Sequence, residues 1–161
     1  MVRTPEQRSL WNTLIDREHL HGMTTFAGCQ VRYLVGSAHG WLGAAGFSAC
    51  ARRVSARDRW MAWTDEQRRE NLNRVVCLSR FLIRPMVRCP HLASQVLGWV
   101  LRRLPGDFES RYGYKPWLVE SFADAGYDGT CLLAAAAGSA GGGPETAAGT
   151  GRRVEYGRVG G

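Results

Sequence analysis

The stretch NRVVCLSRFLIRPMVRCPHLASQVLGWVLRRL, residues 73–104, decides the fold. Its first part, from about Asn73 to Ile83, gathers β-branched and aromatic residues at the density of a strand. Pro85 and Pro90 break it, because proline has no N–H for a ladder and pushes its predecessor out of the helical region. Leu92, Ala93, Val96, Leu97, Val100, Leu101 and Leu104 then recur three and four apart, on one face of a helix that this spacing ends at Pro105-Gly106. A strand followed by an amphipathic helix needs a sheet to pack on, so further strands are expected on either side.

Working outward, Thr4 caps a helix with Pro5 at its first position, and Leu10, Trp11, Leu14 and Ile15 share one face of a helix from about Pro5 to Leu20. Cys29 to Val35 and Trp41 to Phe47 are two apolar runs joined by Ser37-Ala38-His39-Gly40, the pattern of a β-hairpin. Arg52 to Arg59 reads as a polar bend. Thr64-Asp65-Glu66-Gln67 is a capping box that starts a short helix. Trp117 to Phe122 is one more strand. The order predicts an α/β (α+β) fold with a mixed, largely antiparallel central sheet flanked by helices. Residues 1–131 are expected to form the core domain. Residues 132–161, poor in apolar anchors and rich in Ala and Gly, are expected to be a disordered tail.

At 161 residues the chain is long enough to bury roughly 70% of its unfolded surface without a metal or disulfide. No run of about 18 apolar residues occurs and the N-terminus opens into charge, which argues against a membrane partner or a secretion signal. Five cysteines at irregular spacing fit neither a disulfide framework nor paired metal ligands, so a cytoplasmic location and no metal are expected. The net charge is +7, and Lys115 is the single lysine among 21 basic residues. Arginine forks suit phosphate, so nucleic acid is the expected partner, although codon bias would also enrich arginine. Arg52, Arg53, Arg57 and Arg59 with Trp60, and also Arg80, are the expected nucleic-acid contacts. Trp60 and Trp63 offer stacking surface or core packing. Arg111-Tyr112-Gly113-Tyr114-Lys115 is a second basic, aromatic patch.

For chemistry, Asp124 ends a strand before the turns at Gly126 and Gly129, where a carboxylate serves either as a general base or as a turn cap. Glu120, if inward, needs Arg80 or Arg32 as a partner. His19 and His21 flank Leu20 at a helix end without an evident third metal ligand, and His19 also fits a helix-dipole role. Cys131 lacks an adjacent group that would activate its thiol.

Trp11, His19-Leu20-His21-Gly22, Gln30 to Val35, Leu42 to Phe47, Arg57-Asp58-Arg59-Trp60 with Trp63, and Arg68 to Leu72 carry a family resemblance. Ser79 to Ile83, Leu92-Ala93-Ser94, Arg111 to Tyr114, Glu120 to Asp124 and Gly129-Thr130-Cys131 extend it. In this order and spacing they resemble the DruA family of Druantia anti-phage systems, which also occurs beside transposases. The resemblance implies a part in defence or mobile-element biology, acting on nucleic acid, with defence-system or transposon proteins as partners. More distantly, the order of elements resembles Mom-like GNAT acyltransferases that modify DNA bases. That likeness implies a GNAT-like base-modifying transferase with Asp124, Glu120 and His19 lining the site. It also implies acyl-CoA as cofactor, its phosphates at the helix start His91, Leu92, Ala93 and Ser94. A non-catalytic DNA-binding accessory protein is the alternative. After Cys131 the family continues with Tyr and Ala-Ala-Asn-Trp, where this chain has Leu132-Leu133-Ala134-Ala135. The core is therefore expected to be truncated at its C-terminus, and an inactive copy with an exposed edge on the Trp117 to Phe122 strand is the further alternative.

Overall fold

A computed structural model describes residues 1–124, 145–149 and 152–159. In chain order the elements are α1 (Pro5–Glu18), β1 (Gln30–Ser37), β2 (Gly40–Ala49), α2 (Ser55–Met61), α3 (Asp65–Asn71), β3 (Val75–Ile83), α4 (Leu92–Tyr112), β4 (Leu118–Asp124), β5 (Glu145–Gly149) and β6 (Arg152–Arg158). The strands form one sheet in the order β1-β2-β3-β4-β6-β5. Among the described residues only the β3–β4 pair is parallel; the other pairs run antiparallel. The mixed, largely antiparallel sheet expected from the sequence is therefore present, with helices on both faces.

Successive strand residues point to opposite faces, and the two faces carry different helices. Val31, Tyr33, Ala45, Phe47, Val76, Leu78 and Val119 pack with the apolar face of α4. On the other side Ala44 and Leu82 pack with Trp11, Leu14 and Ile15 of α1. Gly46 sets the approach of α1: a Cβ there would stand 2.6 Å from Cζ2 of Trp11. Trp11 Nε1–H donates to the Ala45 carbonyl at 3.1 Å, so the buried indole is satisfied. Thr4 and Thr64 both form complete capping boxes, with Gln7 and Gln67 reaching back to the cap.

Three expectations are corrected. The helix predicted to end at Pro105-Gly106 runs on to Tyr112, with Pro105 inside it. Proline in a helix interior costs about 3 kcal/mol. Past the proline, Phe108 is fully buried and Asp107 accepts a 2.9 Å hydrogen bond from the Tyr33 hydroxyl. Those contacts favour continuation until Gly113, at φ 77°, stops the helix. Where a polar bend was expected at Arg52–Arg59, α2 begins at Ser55 and runs to Met61, with Ala56 and Arg57 buried. Finally, β5 and β6 lie inside the stretch read as a tail. β6 pairs β4 residue for residue from Leu118↔Arg158 to Asp124↔Arg152, so the edge expected to be bare is covered. Residues 132–144 lie outside the described residues.

Candidate functional site

The β3 and β4 strands pair only over Val75–Leu78 and Leu118–Ser121. Beyond that, β3 keeps β2 as far as Ile83, while β4 keeps β6. A cavity of about 810 Å³ opens where the two part, lined by Ser79–Ile83, by Ser121 and Phe122, and by Glu18–His21 after α1. In open sheets with parallel strands, ligands favour the crevice beyond the carboxyl ends of those strands.

Arg80 is the central cation of this wall. Its Nε–H donates to the Gly22 carbonyl at 2.8 Å and its Nη1 to the Ser79 carbonyl at 2.6 Å. Both partners are neutral. The carboxylate among the described lining residues is Glu18, and it is held by Arg84 through both oxygens at 2.7–3.0 Å. Burial pulls the pKa of Arg80 below the ordinary arginine value, the direction expected of a cation short of counter-charge. His19 caps α1, and its Nδ1 accepts from the His21 N–H at 3.1 Å. Burial, then Arg80 and His21, lower its pKa. His19 is thus neutral at physiological pH, with its proton on Nε2. Ser79 shares a 2.6 Å hydrogen bond with Ser48. Cys77 lines the cavity, but burial pushes its thiol up to about 12, which makes it a poor nucleophile.

Glu120 and Arg57 lie elsewhere, and neither reaches the surface. Both side chains are fully buried and pair at 3.2 Å between Arg57 Nη1 and Glu120 Oε2. All five guanidinium N–H groups of Arg57 are used, the rest by the Ala51 and Arg52 carbonyls and by Asp58. Arg57 is therefore an internal strut rather than a phosphate contact, and Glu120's partner is Arg57 rather than Arg80 or Arg32. Arg32 instead stacks over Trp11 and Phe26, 5.0 Å from each ring centre. Arg52, Arg53 and Arg59 are exposed, and half-buried Trp60 packs beside Ala56, Val75 and Leu118. Asp124 ends β4 opposite Arg152; its side chain lies outside the described residues, as does Cys131.

His91, Leu92, Ala93 and Ser94 begin α4 but are not brought into the cavity lining. His91 adopts φ 59° and gives no side-chain cap. Leu92 is buried in the core, and its N–H is taken by the Cys89 carbonyl. This terminus has its Leu92 N–H already taken and carries no glycine-rich loop to cradle the phosphates of acyl-CoA.

Nothing in the sequence marked Thr24, Ser121 and Phe122 as cavity residues, because the separation of β3 from β4 is set by pairings far apart in the chain. Fold and site together define a mixed α+β domain with a part-apolar cavity, its wall carrying Arg80, at a split in the sheet. The family described as Druantia protein DruA matches residues 1–138, and this chain belongs to that family. Membership suggests a role in Druantia anti-phage defence. No curated protein and no solved structure matches the chain. Among the described residues no helix is long and apolar enough to cross a membrane.

Proposed function

We propose that this DruA-family chain binds nucleic acid in anti-phage defence, and that the cavity between β3 and β4 receives an anionic group of that ligand. The observation that carries the reading is the setting of Arg80, a half-buried guanidinium on a cavity wall whose described partners are two neutral carbonyls. An arriving phosphate oxygen offers the charge-assisted hydrogen bonds that such a cation lacks. Neutral His19 adds an N–H donor beside it. The net charge of +7 and the exposed Arg52, Arg53 and Arg59 supply attraction at longer range.

Binding is favoured over base chemistry by the same histidine. Its Nδ1 is already an acceptor for the His21 N–H, so it has no free basic nitrogen with which to take a proton. Fluorescence anisotropy with labelled DNA tests the reading across about 50–200 mM salt. The expected result is an affinity that falls linearly in log salt. Absence of binding at the lowest salt overturns it.

A further inference from the structure

At the opposite end of the parallel pair, where β3 and β4 begin, rings and guanidinium groups alternate. Tyr112 and Tyr114 lie with ring centres 6.2 Å apart. Arg74 sits between the next two rings, 5.6 Å from the centre of Tyr114 and 5.2 Å from that of Trp117. Arg111 covers the Tyr112 ring at 5.6 Å. Three of the five cation–π contacts among the described residues thus fall on this one ledge.

The ledge is built rigidly, its tyrosines half-buried against Phe108 and its tryptophan left open. Arg74 Nη1 donates to the Lys115 carbonyl at 3.1 Å. The Trp117 N–H donates to the Arg74 carbonyl at 2.7 Å, and the Trp117 carbonyl accepts from Val159 N–H at 3.0 Å. The backbone under the indole is thus held on both sides. Trp117 as a residue is 50% exposed, although tryptophan is among the residues that gain most from burial. The Tyr112 hydroxyl is tied to both backbone groups of Gln30, which fixes that ring as well. Arg74, Arg111 and Lys115 place three cations here; Glu109, 3.3 Å from Lys115, is the carboxylate paired with them.

We infer that this ledge is a stacking platform for single-stranded nucleic acid. Bases stack on Trp117 and Tyr114, and the backbone phosphates pair with Arg74, Arg111 and Lys115. The occupant follows from two complementarities: three cations call for a polyanion, and an open indole beside a second ring calls for unpaired, flat, apolar faces. A duplex presents the phosphates but keeps its base faces stacked inside. The inference rests on the nucleic-acid reading above and narrows it to single strands.

The test compares a labelled thymidine oligonucleotide of about 12 nucleotides with a duplex of the same length, using the full chain, Trp117→Ala and Trp117→Phe. The inference expects Trp117→Ala to weaken single-strand binding about ten-fold, to leave duplex binding within about two-fold, and Trp117→Phe to restore most of the loss. Equal losses on both ligands, or no loss on either, overturn the stacking platform while leaving nucleic-acid binding standing. A wild-type chain that binds neither ligand removes both readings together. Because Trp117 is exposed, an unchanged melting temperature in Trp117→Ala separates lost stacking from lost fold.

Discussion

Arg57 and Arg80 are both arginines that point into the interior, yet they do opposite things. Arg57 has two carboxylates and two carbonyls around it, and every donor of its fork is used. Arg80 has two carbonyls and a cavity. A compensated internal cation ties elements together, here α2 to β4; an uncompensated one on a cavity wall is poised for a ligand. Residue type does not separate these roles, because the difference lies wholly in what the fold brings alongside.

Stability separates the two arginines most strongly. Arg57→Met leaves Glu120 buried without its partner, so a loss of about 3–5 kcal/mol is expected in denaturant unfolding. At about 2–4 °C per kcal/mol for a chain this size, that is a drop on the order of 10 °C in Tm. Arg80→Met, which strands no buried carboxylate, is expected to change stability by less than about 1 kcal/mol. Equal losses from the two variants would erase the distinction. Adding Glu120→Leu to Arg57→Met should recover much of the loss, since two apolar side chains can replace a buried pair.

A smaller effect is expected from pH. Burial raises the Glu120 carboxyl above the ordinary glutamate range, against the lowering pull of Arg57. The folded chain therefore keeps a proton that the unfolded chain releases. This contribution is complete below the unfolded glutamate range and is lost as pH rises through the folded value. The unfolding free energy of the wild type, minus that of Glu120→Gln, should fall with rising pH by at most about 1.4 kcal/mol per unit. A difference that rises over that window would mean that Arg57, not burial, controls the carboxyl.

How far the sequence disclosed these roles follows from the range over which each is determined. The two threonine caps, the hairpin at Gln30–Ala49, β3 and the buried face of α4 were legible because neighbours within a few residues set them. The partnership of Arg57 with Glu120 spans 63 positions, and nothing local marks it. The continuation of α4 through Pro105 depends on Phe108 finding a fully buried place in the core, which outweighs the proline. β5, Glu-Thr-Ala-Ala-Gly, has little strand propensity of its own and exists through its pairing with β6. The cavity was the least legible of all, because it is made by two strands ceasing to pair.

On the exposed side of the same comparison, Arg52, Arg53 and Arg59 should act only through charge. Replacing all three by alanine is expected to lower the slope of log affinity against log salt by about 2 to 3, with stability unchanged. An unaltered slope would place the phosphate contacts elsewhere.

The most direct test is the affinity of Arg80→Met for labelled DNA, measured at low salt beside the wild type and with the melting temperature of each recorded. The expected result is at least a ten-fold loss of affinity with Tm nearly unchanged, since a charged hydrogen bond contributes about 1.5–3 kcal/mol. Equal affinity for the two proteins would contradict the account, leaving the cavity between β3 and β4 without a part in binding.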